Sequence, residues 1–186
     1  LLRADACFPS VQTVTKFDKL IEKRNLAVKV KVAFLKEHPH FLPLVARWCA
    51  AEWPSYYDQG SYQAAFEYHL TTLQTDSVPC GFVASEGGKL MGTISLLEED
   101  MSIRPQYTPW LGCLYVDPAY RDRHGTVAKE LTAFAEQHAF KLNIGDLYAW
   151  SHTLANHMKH IGWEEIERVN FLGGEAVILR KIIRPK

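Results

Sequence analysis

The stretch Leu114-Tyr-Val-Asp-Pro-Ala-Tyr-Arg-Asp-Arg-His-Gly-Thr-Val-Ala128 decides how this chain is read. An apolar strand ends at Val116, and Asp117-Pro118 stops it, because proline has no N–H to give a sheet ladder. A basic loop follows, Arg121, Asp122, Arg123, His124 and Gly125, and a helix begins at Thr126. The first amides of a helix point outward without intrahelical partners, and the helix dipole adds partial positive charge there. With Arg121 and Arg123 beside it, the helix start formed by Thr126, Val127 and Ala128 suits a phosphate-bearing ligand. The same residues also describe an ordinary solvated loop between a strand and a helix.

Working outward, Trp110-Leu-Gly-Cys-Leu-Tyr-Val116 forms the strand before the loop, and Thr126–Leu142 a helix with Val127, Leu131, Phe134, Ala135 and Leu142 inward. Gly81–Ser85 and Leu90–Leu96 are strands joined through Gly87-Gly88, a two-residue hairpin signal. Downstream come a strand at Asp146–Trp150, a short helix at His152–His160 with Leu154, Met158 and Ile161 inward, and a closing hairpin of Trp163–Val169 and Ala176–Ile183. Upstream, Val28–Phe34 alternates apolar and basic residues as a strand does. Two helices follow, about His40–Trp53 (Phe41, Leu44, Val45, Trp48, Cys49 inward) and about Ser61–Leu73 (Tyr62, Ala65, Phe66, His69, Leu70, Leu73 inward). The order β-α-α-β-β-β-α-β-α-β-β predicts an α+β domain over 29–186. Its sheet has six to seven mostly antiparallel strands with one βαβ unit, flanked by about four helices. Residues 1–28, with a short charged helix from Thr13 to Arg24, form an N-terminal extension.

Composition narrows the function. The chain has 186 residues, 47% of them hydrophobic and 23% charged, with 21 basic and 21 acidic side chains. This is an ordinary globular mix of zero formal charge, which argues against a nucleic-acid or anionic-membrane partner. No apolar run approaches the roughly 20 residues of a membrane span, and the first residues lack the charged-then-apolar order of a secretion signal. Cys7, Cys49, Cys80 and Cys113 are scattered without a CxxC pair. A metal or disulfide framework is therefore not expected, and a reducing cytoplasm is.

Several of these segments, in their order, resemble the GCN5-related N-acetyltransferase (GNAT) superfamily over roughly residues 30–183. Trp110–Arg121 resembles its fourth strand and the approach to its acetyl-CoA loop. Asp146–Trp150 resembles its fifth strand, and Ile161-Gly-Trp163 the "(L/I)-G-(F/W)" that closes the following helix. Gly92–Leu96 and Thr108-Pro-Trp110 add to a pattern similar to that of small bacterial members of unassigned substrate. The resemblance implies acetyl-CoA as co-substrate and a primary amine, on a small molecule or a peptide, as acceptor. It implies pantetheine pairing with Leu114, Tyr115 and Val116, pyrophosphate on the loop from Arg121 to Ala128, further cofactor contacts at Ser151 and Asn156, and a monomer or homodimer. It also implies direct attack of a deprotonated amine, the thioester carbonyl being polarised by a fourth-strand amide. A GNAT-fold module that binds acyl-CoA with little or no turnover is the alternative.

Two departures accompany the resemblance. The usual loop is Arg/Gln-x-x-Gly-x-Gly/Ala. Counted from Arg121, its first glycine falls on His124; counted back from the helix, on Thr126. A two-residue insertion, leaving Gly125 as the loop's glycine, reconciles the counts. The tyrosine that often protonates the leaving thiolate is replaced by Met158; water, His157 or His152 is left for that task. For the general base, Glu98 and Glu99 end the third strand near the expected acceptor. Asp100 beside them, and Tyr56-Tyr57 between the first two helices, are the candidates for binding it. The bland reading of the acidic run is a solvated turn. Cys113, mid-strand and without an evident histidine partner, reads as a buried small residue.

Overall fold

The computed structural model describes residues 30–121 and 125–184. The extension, the helix at Thr13–Arg24 and the loop residues Asp122, Arg123 and His124 lie outside the described residues. Seven strands form one sheet in the order β1-β2-β3-β4-β5-β7-β6. They are β1 (Lys31–Phe34), β2 (Cys80–Glu86), β3 (Lys89–Leu97), β4 (Trp110–Val116), β5 (Asp146–Ser151), β6 (Glu164–Phe171) and β7 (Gly174–Ile182). Every neighbouring pair is antiparallel except β4 and β5. Four α-helices accompany them: α1 (Leu42–Glu52), α2 (Tyr62–Leu70), α3 (Thr126–Lys141) and α4 (Ala155–His160).

Side chains alternate across a strand, so each strand feeds two cores. On one face, Phe82 and Ala84 of β2, Met91, Ile94 and Leu96 of β3, and Val177 and Leu179 of β7 meet Val127, Leu131, Ala135 and Ala139 of α3. Fully burying a side chain such as Leu131 contributes about 1.5–3 kcal/mol. On the other face, Val83 and Leu90 meet Val45, Ala46, Cys49 and Ala50 of α1 and Ala65 of α2. A third cluster, Leu97, Met101, Trp110, Ala176 and Ile178, lies beneath the site described below, with Cys113 packed against both this cluster and the second. The Ile161-Gly-Trp163 segment is tied down by Lys181, whose Nζ donates to the Ile161 carbonyl at 2.9 Å and to Glu136 Oε1 of α3 at 2.7 Å.

The structure corrects several local expectations. The first strand is only Lys31–Phe34, and α1 begins at Leu42 after a 3-10 turn at Pro39–Phe41. Leu44, Tyr62, Leu70 and Leu154 are 38%, 41%, 45% and 51% exposed, not inward. α1 and α2 cover one sheet face only, so the buried stripe of each is narrower than the sequence predicts. α2 ends at Leu70, and α4 starts at Ala155 rather than His152. Ser151 Oγ accepts from the amides of Thr153 and Leu154, at 3.1 and 2.9 Å, and holds the chain in a turn there. Cys113 is only partly buried, because β4 does not run straight through it.

Candidate active site

The parallel β4–β5 ladder has a single registered pair, Trp110 with Tyr148, at the start of both strands. The Tyr148 amide also donates to the Pro109 carbonyl at 3.1 Å. Beyond that pair the ladder stops, while β4 runs on to Val116. Burial follows the pattern: Trp110, Leu111 and Gly112 are buried, whereas Cys113, Leu114, Tyr115 and Val116 are only partly so. Leu114, Tyr115 and Val116 therefore lie on a strand edge that β5 does not cover.

The same strand carries a bulge. Thr93 pairs with Tyr115 and Ser95 with Gly112, so one β3 residue faces both Cys113 and Leu114. Cys113 takes the extra place with φ +53°. A bulge bends its strand and re-aims the groups beside it. Here it lies where the β4–β5 gap opens.

The chain leaves β4 through Asp117, whose carboxylate accepts from the Ala119 amide at 2.8 Å. Arg121 is exposed and folds back: its Nε donates to the Val116 carbonyl at 2.8 Å, and its guanidinium lies 5.4 Å from the centre of the Tyr115 ring. Gly125 starts α3 with φ +62°, in the left-handed region where a side chain costs about 1–2 kcal/mol. A cationic arginine, an open strand edge and a glycine-started helix of 16 residues thus follow one another, the arrangement that fits a CoA pyrophosphate and pantetheine. Thr126, Val127 and Ala128 open that helix, Val127 turning into the core.

Asp100 is the charged centre of the other half. Its Oδ2 accepts the indole N–H of Trp150 at 2.9 Å, and its main-chain carbonyl accepts the Tyr56 hydroxyl at 3.0 Å. The carboxylate lies against Gly112, next to the bulge. A Cβ at Gly112 would stand 3.0 Å from Asp100 Oδ2 and 2.8 Å from Leu97 Cδ1, so only glycine leaves room. Burial raises the carboxyl from 3.8 to about 7, against the lowering effect of the Trp150 bond. Asp100 therefore exchanges its proton near neutrality, as a general base must.

A cleft of about 480 Å³ opens over this group, lined by Ser55, Tyr56, Tyr68, Glu99, Asp100, Ser102, Phe171 and Leu172. Four chain segments meet there: the turn after α1, α2, the β3–β4 connection and the β6–β7 turn. Burial pushes the Tyr56 and Tyr68 hydroxyls far above the usual phenol range, the Asp100 charge adding to it.

The predicted site residues separate accordingly. Asp100, Glu99 and Tyr56 come together in the cleft, with Glu99 exposed at its wall. Glu98 is exposed, its carbonyl accepting from Thr108 Oγ1 at 2.8 Å, and it does not line the cleft. Tyr57 is 4% exposed and turned into the core, its hydroxyl 3.4 Å from His69 Nε2 and 3.7 Å from Cys113 Sγ. Burial lowers His69 to about 4, so the ring is neutral. His157 and Asn156 are exposed on α4 outside the cleft lining, and Ser151 is spent on the turn before α4. Met158 packs against the core. Tyr68, Phe171 and Leu172 line the cleft beside the acid although the sequence singles out none of them. Tyr68 falls outside the inward set of the predicted helix Ser61–Leu73, and Phe171 and Leu172 fall in the predicted turn between the closing strands, so neither position marks a site. Among the described residues no group of three or more His, Cys, Asp or Glu could hold a metal, and no helix is long and apolar enough to cross a membrane.

Comparison with known proteins bears on the fold. No curated protein sequence matches the chain. Among solved structures, an aminoglycoside 6'-N-acetyltransferase complexed with coenzyme A superposes with a TM-score of 0.65 at 13% identity, over 84% of this chain and 98% of the other. An aminoglycoside 6'-acetyltransferase type Ii gives 0.63 at 14% identity, over 84% and 99%. A Salmonella typhimurium protein described as an acetyltransferase, solved with its cofactor acetyl-CoA, gives 0.62 at 10% identity, over 84% and 95%. These likenesses establish the fold. The model of the acetyltransferase (GNAT) family matches residues 42–162, and with well over half of its length inside that match, the chain belongs to the GNAT family of acetyltransferases.

Proposed function

We propose that the protein is an N-acetyltransferase that moves the acetyl group of acetyl-CoA to a primary amine, with Asp100 as general base. The observation that carries this reading is the contact of the Asp100 carboxylate with Gly112, beside the bulge at Cys113 and the open edge of β4. The β4 edge at Leu114, Tyr115 and Val116 holds the pantetheine arm, and Arg121 with the start of α3 holds the phosphates. Asp122, Arg123 and His124 belong to the same phosphate loop in this reading. A main-chain amide at the bulge stabilises the oxyanion.

The amine enters through the cleft. Asp100 removes its proton, and the nitrogen lone pair attacks the thioester carbonyl. The tetrahedral intermediate gives up the second N–H proton to water and collapses to an amide as the C–S bond breaks and CoA leaves as thiolate. Water supplies the thiolate's proton, since Met158 has none to give. Glu99, at the cleft wall, attracts the incoming ammonium. No acyl-enzyme is formed, and much of the rate comes from holding amine and thioester together. The free thiols Cys49, Cys80 and Cys113 suit a reducing cytoplasm, where acetyl-CoA is at hand. Met158 favours one second reading, a module that binds acyl-CoA without turnover.

Calorimetric titration with acetyl-CoA, followed by a thiol-release assay with amines, separates these readings. Binding with amine-dependent CoA release is the expected result. Binding without release under any amine leaves the module, and no binding at millimolar acetyl-CoA rejects both.

A further inference from the structure

The cleft above Asp100 also indicates what kind of amine it takes, given that it is the acceptor site. We propose that the acceptor is a small primary monoamine whose amino group is joined by a short linker to an aromatic or comparably flat apolar body. Three of the molecule's exposed large hydrophobic residues gather at this one place: Tyr56, Tyr68 and Leu172, at 38%, 36% and 49% exposed. Single exposed apolar residues need no explanation, but a cluster around a carboxylate does.

The aromatic wall is built and fixed relative to the base. Tyr56 stacks on Trp150, ring centres 6.4 Å apart at 23°, and Phe171 meets the same indole edge-on at 5.3 Å and 89°. Trp150 donates to the Asp100 carboxylate and Tyr56 to the Asp100 carbonyl. One residue therefore both takes the proton and holds the wall against which the rest of the acceptor lies. A ring resting on such a wall gains roughly 0.5–1.5 kcal/mol for each aromatic pair beyond the area it buries. The ammonium itself is attracted to aromatic faces before it loses its proton.

The charges favour a monocation over a polycation. Two carboxylates line the cleft, and only Asp100 is withdrawn from water. Glu99 is exposed, where an ion pair is worth about 0–1 kcal/mol. Each further ammonium of a polyamine or aminoglycoside would lose water without a buried partner. A peptide fits poorly for a related reason: its main chain needs hydrogen-bond partners, and beyond the acids and tyrosines the polar side chains that line the cleft among the described residues are those of Ser55 and Ser102.

The test is amine-dependent CoA release by the full chain, with 2-phenylethylamine, n-butylamine, spermidine, an aminoglycoside and a short peptide bearing a free N-terminus as acceptors. The expected result is a kcat/KM for phenylethylamine at least tenfold above that for every other acceptor. In Phe171→Ala, phenylethylamine should fall about three- to tenfold and by a larger factor than butylamine, so that the ratio of the two narrows. Leu172→Ala, at an exposed turn and so a safe second variant, should narrow the same ratio. Equal rates for phenylethylamine and butylamine, or a preference for spermidine, the aminoglycoside or the peptide, overturn the inference and leave N-acetyl transfer standing. Acetyl-CoA binding without release by any acceptor overturns the inference together with the transfer reading, and failure to bind acetyl-CoA overturns the site itself.

Discussion

Replacing Asp100 by Asn tests the site through two readouts that should move in opposite directions. Asparagine keeps an oxygen to accept the Trp150 indole N–H, so the geometry of the wall survives, but it cannot ionise. Burial raises the carboxyl from 3.8 to about 7. The folded state thus holds its proton more tightly than the unfolded chain. Below about pH 4 both states are protonated and the group costs nothing. Between 4 and 7 stability falls as pH rises, and above 7 the full cost is present. Three units at 1.36 kcal/mol each set a ceiling of about 4 kcal/mol, and the solvent that a half-buried side chain still meets reduces this to roughly 2–4 kcal/mol. Asp100→Asn should therefore raise the melting temperature at pH 8 by about 4–16 °C, with the difference shrinking towards pH 5. Its turnover should fall about 10²–10⁴-fold, the usual worth of a positioned base. The wild-type rate should rise with pH through a limb near 7 that the variant lacks. Parallel melting curves across pH 5–8 would show that the carboxyl is not held protonated. Full activity with the limb intact would show that Asp100 is not the base.

Other substitutions test the remaining parts. Gly112→Ala places a methyl 2.8 Å from Leu97 Cδ1 and 3.0 Å from Asp100 Oδ2; it should cost about 1–3 kcal/mol of stability and shift the limb of the pH–rate profile, read by thermal melts and initial rates. Arg121→Ala should weaken CoA binding in calorimetry about tenfold. Arg180→Ala, whose guanidinium pairs with Glu164 on the far strands, should leave that binding unchanged, and equal effects would mean the phosphates lie elsewhere. Gly125→Ala forces a side chain to φ +62° and should lower the melting temperature by the equivalent of about 1–2 kcal/mol while weakening CoA. Glu99→Gln should raise KM for the amine two- to fivefold with kcat unchanged; a loss of kcat instead would transfer the role of base to Glu99.

What the sequence disclosed divides along the range of the interactions. The hairpin at Gly87-Gly88, the strand Trp110–Val116 and the helix from Thr126 are set by neighbours in the chain, and they were legible. The bulge was not, because Trp110-Leu-Gly-Cys-Leu-Tyr-Val116 is a continuous apolar run in which nothing marks an extra residue; it shows only against β3. Tyr56 and Tyr57 are adjacent, yet one lines the cleft at 38% exposure and the other is in the core at 4%, a difference set by the tight turn that carries them. The acidic run Glu98-Glu99-Asp100 is the sharpest case. By composition its members are equivalent, and any of them reads as a solvated turn. They separate because Met101 is fully buried in the third cluster. That anchor draws the preceding residue under the chain and against Gly112, where it loses water and meets the indole of Trp150, fifty positions away. Glu99 and Glu98, one and two residues further from that anchor, stay in solvent, Glu98 even though its other neighbour, Leu97, is 1% exposed. Contact with Gly112 and the Trp150 indole across the fold, more than acidity, position in the run or adjacency to a buried side chain, is what makes one of three carboxylates fit for proton transfer near neutral pH. The same argument implies that shortening the anchor, Met101→Ala, should return the Asp100 carboxyl towards its ordinary range and shift the limb of the pH–rate profile to lower pH, even though Met101 does not line the cleft.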